Sequence, residues 1–287
     1  MKKSRLSKII TVSLAAVMVF GLASCGGSNS ADGKDITVIS REEGSGTRDA
    51  FTELTGVLQD DVDKTVDSAE ISNSTSVVTQ SVAGNAAAIG YISLGSLDDS
   101  VKAVKVDGVE ATVDNVKSGD YKLQRPFNIV TKGDVAELPQ DFINFIMSSE
   151  GQSIVEEEGY IMTNDKAESY KASGLKGTIT LAGSTSVSPV MEVLADKYKE
   201  LNSGVTIEIQ QTGSGAGIQS TSEGVCDIGM ASRALEDEEK SQGLTSQEIA
   251  LDGIAVIVNN DNSVEDLTTE QIMKIFTGEI ANWADVK

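Results

Sequence analysis

The chain has 287 residues, of which 44 are Asp or Glu and 23 are Lys or Arg, so its formal net charge is −21. An excess of negative charge this large disfavours nucleic acid and anionic membrane surfaces as partners, although a small anion is still compatible with a site that supplies its own dipoles. The sequence contains no histidine and two cysteines, Cys25 and Cys226, which excludes histidine-dependent catalysis and thiolate zinc clusters. We therefore expect no enzyme activity, no metal site and no cofactor.

The first 24 residues have the pattern of a signal peptide. An apolar stretch at residues 9–23, too short to span a bilayer comfortably, follows a positively charged start and ends just before Cys25 and two glycines. This resembles a bacterial lipoprotein signal, in which cleavage leaves Cys25 as the lipid-bearing first residue; a plain secretory signal is the alternative. We expect residues 1–24 to be removed, residues 25–35 to form a flexible, lipid-anchored tether, and the protein to be extracytoplasmic, on the cell surface or in the periplasm.

Strands and helices alternate along the rest of the chain. Residues 36–39 predict a short strand, which is followed by a loop rich in Gly, Ser and Thr and by a helix that begins near Arg48. Apolar residues at helical spacing predict another helix over 141–157. Residues 163–177 are polar and lack periodicity, which is typical of a connector.

The second half of the chain repeats the pattern of strand, glycine-rich loop and helix. Residues 178–181 predict a strand, and the loop AGSTS leads into a helix from about Val187. The elements predicted after it are a strand at 205–209, a helix after the glycine-rich segment 213–217, a buried strand at 252–258 and a helix at 268–276. This alternation predicts an α/β fold with mostly parallel sheets.

Three loops place Gly, Ser and Thr between a strand and a helix: SREEGSGT, AGSTS and GSGAG. Glycine lets the backbone approach a ligand closely, and the free N–H groups of a first helical turn favour an anion. Arg41, in the first loop, adds a guanidinium suited to a tetrahedral oxyanion. Each loop alone also fits an ordinary helix cap, but three together with one arginine favour an anion site. The GxxxxGK pattern of nucleotide phosphate loops does not occur.

Several segments together resemble the phosphate-binding proteins of bacterial ABC importers, which belong to the type II periplasmic-binding-protein superfamily. No single segment is specific, but their combination is, and the resemblance covers nearly all of residues 36–287. The matching segments are ISREEGSGTRDAF at 39–51, LAGSTSVSPVMEVLADKYKELN at 181–202, IEIQQTGSGAGIQ at 207–219, CDIGMASRAL at 226–235, DGIAVIVNNDN at 252–262 and LTTEQIMKIFTGEIANW at 267–283.

The order of these segments differs from the usual order in that family. In most members the GSTS segment comes first, and the segment at 267–283 leads directly into the SREEGSGT strand. Here the SREEGSGT strand comes first, and the usual C-terminal part runs through the connector into GSTS. This order indicates a circular permutation, which is tolerated where the original termini are close together; a truncated tandem duplication is the competing explanation.

The resemblance implies an α/β, two-lobe periplasmic-binding-protein-like fold. Each lobe is a mixed sheet flanked by helices, and the ligand cleft lies between the lobes. Lobe A is expected to be continuous over 126–258, including the connector at 163–177. Lobe B is expected to be assembled from 36–125 and 259–287, so that the C-terminal helix must dock against the first strand.

The resemblance also implies phosphate contacts on both lobes. Carried over by sequence position, they are Arg41, Ser45, Gly46 and Thr47 from one lobe and Thr185, Ser186, Ser214, Ser232 and Arg233 from the other. Better-known members have an aspartate where Arg233 stands, and it accepts the proton of hydrogen phosphate. Because selectivity over sulfate depends on such an acceptor, we expect Asp252, on the predicted hinge strand, to replace it; a capping or hinge role is the alternative.

The function implied by the resemblance is that of an extracytoplasmic solute-binding lipoprotein. It would capture inorganic phosphate and deliver it to the transmembrane subunits of an ABC permease, as a monomer held at the membrane by its lipid anchor. The alternatives are binding of another tetrahedral oxyanion such as sulfate, molybdate or tungstate, or, on the same fold, a secreted phosphatase, an adhesin or a phosphate sensor.

Overall fold

The computed structural model describes Ala31 and residues 33–286. The predicted signal peptide and the predicted lipid attachment site Cys25 lie outside the described residues. None of the helices in the described part of the chain has the length and apolar character needed to cross a membrane.

The helices cover much of both halves of the chain. Helix α9 begins after Thr268, whose side chain accepts from the backbone N–H of Gln271 in a capping box of the Thr-x-x-Gln type. The helices are α1 (Gly46–Thr55), α2 (Thr75–Gly84), α3 (Val113–Ser118), α4 (Glu137–Ile146), α5 (Ser149–Glu157), α6 (Ser188–Leu201), α7 (Ser214–Glu223), α8 (Asp237–Ser241) and α9 (Thr269–Phe276).

The strands range from two-residue pairs to one that runs through both lobes. They are β1 (Thr37–Arg41), β2 (Leu58–Gln59), β3 (Val62–Asp63), β4 (Glu70–Ser72), β5 (Ala88–Ser93), β6 (Val101–Ala103), β7 (Lys105–Val106), β8 (Gln124–Lys132), β9 (Ile161–Met162), β10 (Gly177–Gly183), β11 (Val205–Gln211), β12 (Ile228–Ala231), β13 (Leu244–Asn259) and β14 (Asp266–Leu267).

The main sheet has the strand order β11-β10-β12-β8-β13-β5-β1-β4. Pairing is parallel at both flanks, between β10 and its neighbours β11 and β12 and between β1 and its neighbours β4 and β5. It is antiparallel at the centre, where β8 and β13 pair with each other and with their neighbours. The prediction of mostly parallel sheets therefore holds for the flanks only, and the two-lobe fold has mixed sheets.

The apolar side chains form two large cores, and β13 contributes residues to both. The core of lobe B includes Val38, Phe51 and Phe276, so that the C-terminal helix packs with the first strand and helix. The core of lobe A includes Phe142 and Tyr198. Burial of these aromatic side chains removes a large apolar surface from water in each lobe.

Strand β13 changes partner where it passes from one lobe to the other. It pairs with β8 over 244–253 and with β5 over 254–258. Ile254, Val256 and Val258 belong to the core of lobe B. The predicted lobe boundary at 258 is therefore wrong, and the crossing lies near Gly253. Because residues 253–258 are apolar throughout, the pattern contains no sign of the change.

The helix predicted over 141–157 is two helices, α4 and α5. Ser148 caps the second one, because its side chain accepts a hydrogen bond from the backbone N–H of Gly151 (3.2 Å). A Cβ atom on Gly151 would lie 2.2 Å from the carbonyl oxygen of Phe145. Glycine at this position therefore lets α5 begin directly against the end of α4.

The predicted tether is docked where the structure describes it. Ala31 is buried, and the backbone N–H of Ile36 donates to the carbonyl oxygen of Ala281 (2.8 Å). The backbone N–H of Trp283 donates to the carbonyl oxygen of Lys34 (3.0 Å). The prediction of a flexible segment extending to residue 35 is therefore wrong for residues 33–35, because the C-terminal segment supplies hydrogen-bond partners that the sequence pattern does not show.

Candidate functional site

Four helices begin in the cleft between the lobes: α1 and α2 from lobe B, and α6 and α7 from lobe A. Their N-termini meet because β1 pairs in parallel with β4, and β10 with β11, which brings the carboxyl ends of these strands together. Ser45 caps α1 by accepting from the backbone N–H of Arg48 (3.5 Å). Helix N-termini carry unpaired N–H groups and partial positive charge, so this region favours an anion.

The loops that precede α1 and α7 touch across the cleft. The backbone N–H of Gly215 donates to the carbonyl oxygen of Gly44 (2.9 Å). A Cβ atom on Gly46 would lie 2.6 Å from Ser214 Oγ and 2.9 Å from Ser232 Oγ, which is too close for a side chain. Glycine at position 46 therefore lets the backbone of lobe B approach these two hydroxyls, which are themselves 3.2 Å apart.

Thr47, Thr75, Thr185 and Ser186 form a buried group that we call the hydroxyl cluster. Thr47 Oγ1 lies 2.9 Å from Ser186 Oγ. Thr75 Oγ1 lies 3.1 Å from Thr185 Oγ1 and 3.2 Å from Ser186 Oγ. The backbone N–H of Thr75 also donates to Thr185 Oγ1 (3.4 Å). Since a hydroxyl can either donate or accept, the whole cluster is able to turn its protons toward an anion.

The side chain of Arg41 is only 2% exposed and lies against the hydroxyl cluster. Its Nη2 donates to Thr185 Oγ1 (3.2 Å) and its Nη1 to Thr75 Oγ1 (3.4 Å). The carbonyl oxygen of Ser72 accepts from Nε (3.2 Å), and the backbone N–H of Arg41 donates to the hydroxyl of Tyr91 (3.1 Å). The guanidinium therefore presents a fixed positive charge to the cleft.

Glu42 is the counter-ion of Arg41. Nε of Arg41 donates to Oε2 and Nη2 to Oε1, both at 2.8 Å. The Glu42 side chain is 23% exposed, whereas that of its partner is almost fully buried. A buried charge without a partner costs several kcal/mol, so this pair explains how the protein tolerates Arg41 in the cleft.

Sequence reasoning missed two of these residues, Thr75 and Glu42. Thr75 lies in the segment Asn73–Ser76, whose letters STS repeat those of the loop before α6. This repeated tripeptide before a helix could have indicated that Thr75 belongs to the site. The sequence does not show that β4 pairs with β1, and this pairing carries Thr75 to the cleft.

Arg233 lies outside the hydroxyl cluster. Its Nε donates to Asp49 Oδ2 (3.0 Å), and its Nη1 and Nη2 donate to the two carboxylate oxygens of Glu239 (2.8 and 2.7 Å). Burial lowers the pKa of Arg233, but Glu239, Asp49 and Glu236 together more than offset this and leave the pKa above its ordinary value. Burial, together with the charge of Glu236, raises the pKa of Asp49 by more than the two neighbouring arginines lower it. The predicted phosphate contact of Arg233 therefore has no support in this placement.

Asp252 also lies outside the cluster, in a buried ion pair at the crossing between the lobes. Arg125 faces it from β8, and its Nε and Nη2 both donate to Asp252 Oδ2 at 3.1 Å. The hydroxyl of Ser93 donates to Oδ1 (2.9 Å). Burial raises the pKa of Asp252 to about 6, although Arg125 and Ser93 oppose the shift. The structure thus favours the alternative hinge role over the predicted role as proton acceptor.

A cavity of about 420 Å³ opens beside the cluster. Thr75, Thr185 and neutral polar side chains such as Gln80 and Gln211 form much of its wall. In the part of the chain that the structure describes, no group of three or more His, Cys, Asp or Glu side chains is placed to hold a metal ion. A donor set of hydroxyls, helix N-termini and one guanidinium suits a small tetrahedral anion.

Comparisons with known proteins agree with this chemistry. A family model described as a PBP superfamily domain matches residues 27–150 and 168–287. The phosphate-binding protein PstS 2 of Streptococcus agalactiae serotype V is 48% identical over 294 residues, which cover 100% of this chain and 99% of that protein. PstS 2 of Streptococcus pneumoniae serotype 4 is 47% identical over 291 residues, with 99% and 100% coverage.

A solved structure is also similar over most of the chain. The phosphate-binding protein of a phosphate ABC transporter from Streptococcus pneumoniae TIGR4 has a TM-score of 0.72 and 49% sequence identity, over 88% of this chain and 100% of that one. Because the streptococcal sequences align over essentially their whole length, they share the swapped order of segments with this chain.

Proposed function

Because this chain belongs to the phosphate-binding proteins of the PBP superfamily, we propose that it captures inorganic phosphate between its two lobes and delivers it to the membrane subunits of an ABC permease. The observation that carries the proposal is the meeting of donors from both lobes in one buried place. Thr47 and Thr75 come from lobe B, Thr185 and Ser186 from lobe A, and Arg41 lies against them.

Phosphate binding would exchange one set of hydrogen bonds for another. In this structure the hydroxyls of the two lobes bond directly to each other, as in the Thr47–Ser186 pair. Phosphate oxygens would take the place of these partners and would also accept from Arg41 and from the helix N-termini. Since charge-assisted hydrogen bonds are stronger than those between neutral hydroxyls, the ion would stabilise the closed arrangement of the lobes.

The net charge of −21 bears on how this site obtains its affinity. A negative surface slows the approach of an anion, so affinity would come from local dipoles and hydrogen bonds and not from long-range attraction. We propose binding without catalysis, at the outer side of the cell membrane. There the lipid at Cys25 would hold a monomer beside its permease.

Titration calorimetry with phosphate tests this function, and Thr75→Val is the informative variant. The change keeps the shape of the side chain but removes a hydroxyl at the centre of the cluster, and losing a hydrogen bond to a charged group weakens binding by about tenfold or more. The matched control is Thr245→Val, on the exposed part of β13, where the hydroxyl lies 3.0 Å from that of Thr131. Absence of phosphate binding by the unaltered chain would refute the proposal.

A related oxyanion is the competing ligand, because sulfate, molybdate and tungstate share the tetrahedral shape. Competition calorimetry separates these anions, since each displaces phosphate in proportion to its own affinity. A chromogenic phosphoester assay tests the phosphatase alternative. Hydrolysis that is lost in Thr75→Val but retained in Thr245→Val would favour an enzyme.

A further inference from the structure

The segment that precedes β1 is docked on lobe B. Ala31 is 1% exposed and belongs to the core of that lobe. The backbone N–H of Lys34 donates to the carbonyl oxygen of Ala31 (2.9 Å), which closes a turn. The side chain of Asn282 donates to the carbonyl oxygen of Gly33 (3.3 Å) and to the carboxylate of Asp35 (3.0 Å). The chain is therefore already in contact with lobe B at Ala31, several residues before its first strand.

This docked segment lies at the end of lobe B that points away from the cleft. Strand β1 runs from Thr37 to Arg41, and Arg41 lies against the hydroxyl cluster. The opposite end of β1 is held by Ala87, whose carbonyl oxygen accepts from the backbone N–H of Thr37 (3.0 Å) and from the indole N–H of Trp283 (2.9 Å). Since a strand rises about 3.3 Å per residue, the Cα atoms of Thr37 and Arg41 are about 13 Å apart. The chain therefore enters lobe B on the side remote from the ligand.

Only a short length of chain separates this entry point from the predicted lipid. Residues 26–30 lie between Cys25 and Ala31. Because an extended chain spans at most about 3.6 Å per residue, the steps from Cys25 to Ala31 cover at most about 22 Å in any conformation. A lipid at Cys25 would hold the entry side of lobe B within that distance of the bilayer. The outer strand β11 of lobe A is six strands away from β1 in the main sheet, or about 29 Å along the sheet.

Charge does not bring this surface to the bilayer. Asp35 and Asp285, which flank the docked segment, are both exposed, and the chain as a whole has a net charge of −21. Anionic headgroups repel such a surface, although salt limits the repulsion to about 10 Å at ordinary ionic strength. The approach of this surface to the membrane therefore depends on the lipid.

We propose that lobe B is the membrane-proximal lobe of the anchored protein, and that its surface at the N-terminal end of β1, opposite the cleft, faces the bilayer. This inference rests on the lipid attachment at Cys25 proposed above. Lobe A is attached to the lipid through lobe B, with which it shares β8 and β13. Opening and closing of the cleft would then move lobe A relative to the membrane while lobe B stays beside it.

Energy transfer from a dye on the protein to acceptor dyes on lipid headgroups tests this orientation. The full-length, lipidated chain is placed in vesicles, with Cys226→Ala so that the dye attaches at one introduced cysteine. Asp285→Cys places the dye beside the docked segment, and Glu208→Cys places it on β11; both positions are exposed. Because their distances from the entry point differ by roughly 20–30 Å, we expect at least about twofold more transfer from position 285.

A longer tether is the matched control. Inserting about 20 Gly and Ser residues between Cys25 and Ala31 adds about 25 Å on average, so the body can turn and the two efficiencies should become similar. Equal transfer from the two positions without the insertion, or more from position 208, would overturn the inference.

Other measurements separate this result from the proposals on which it depends. Mass spectrometry that finds no lipid on the mature chain would refute the anchoring itself. Phosphate calorimetry on both labelled variants shows that they are folded. Failure of the unaltered chain to bind phosphate would refute the proposed capture of the ion, but the orientation at the membrane would still be measured.

Discussion

At Arg41, contacts on several sides fix a buried charge before any ligand arrives. Tyr91 accepts from its backbone, Ser72 accepts from Nε, and Glu42 binds the fork with both oxygens. A guanidinium held in this way loses little conformational entropy when it binds an anion. We therefore expect Arg41 to contribute more to affinity than a mobile surface arginine would.

Arg41→Ala should raise the phosphate Kd by more than about tenfold, or about 1.4 kcal/mol. The variant loses the guanidinium donors and leaves the Glu42 carboxylate uncompensated beside the anion. Arg41→Lys keeps the charge but not the fork and should lose less. Calorimetry measures the affinities, and the unfolding midpoint without phosphate shows whether the fold is kept. Unchanged affinity in both variants would remove Arg41 from the site.

The position of a site residue could be predicted from the sequence where its contacts come from the glycine-rich loops, and not where they come from distant helices. The contacts of Thr185 with Arg41 and of Thr47 with Ser186 follow from loops that are visible in the sequence. The position of Arg233 does not, because its partners Asp49 and Glu239 come from two separate helices. Because Arg233 follows Ser232 in the sequence, it was expected near the cleft. The sequence does not show in which direction its side chain points.

Among the elements, α1 and α8 are connected across the cleft through the side chain of Arg233, which forms an ion pair with each. Glu239 of α8 holds Arg233, and the third nitrogen of Arg233 reaches Asp49 on α1 in the other lobe. Because the Asp49 side chain is 39% exposed, its pair with Arg233 contributes little stability by itself. It still requires the two helices, which belong to different lobes, to be close together.

Asp49→Lys should therefore weaken phosphate binding by about threefold to tenfold, because it places a second cation beside Arg233 and favours separation of the lobes. The control is Glu53→Lys, one turn further along the exposed side of α1. It changes the net charge equally, and so any long-range attraction of phosphate is the same. Calorimetry and small-angle X-ray scattering measure affinity and closure. Equal affinities for the two variants would exclude this role for the ion pair.

Element boundaries were predictable where a cap or a glycine marks them and not elsewhere. Thr268 marks the start of α9. The interruption at Ser148 divides an apolar pattern that otherwise continues from α4 into α5, and apolar spacing alone does not show it. The point on β13 where the chain passes from one lobe to the other is likewise not visible in the sequence, since a strand buried in both lobes remains apolar throughout.

For the molecule as a whole, the lobes share β8, β13 and a buried ion pair between them. Arg125 and Asp252 are each about 1% exposed and stand opposite each other in the strand register. Segments from both ends of the chain contribute to the core of lobe B. This assembly was expected from the swapped order of the segments that resemble the family. Arg125 and Asp252 could not be predicted to form a pair, because the sequence does not reveal that the two long strands β8 and β13 are neighbours. Removing one partner of such a pair commonly destabilises a protein by 3–5 kcal/mol.

Asp252→Asn should also change how stability depends on pH. Burial raises the pKa of Asp252 from 3.8 to about 6 in the folded protein, so the folded state binds this proton more tightly than the unfolded chain. The contribution of the group to the free energy of unfolding therefore falls as pH rises from about 4 to about 6. Since Asn does not titrate, the stability of the unaltered chain relative to the variant should fall across that window.

Denaturant unfolding measures this difference, with the exposed Asp261→Asn as control. Parallel pH curves for the unaltered chain and Asp252→Asn would mean that the hinge carboxylate titrates at its ordinary pKa.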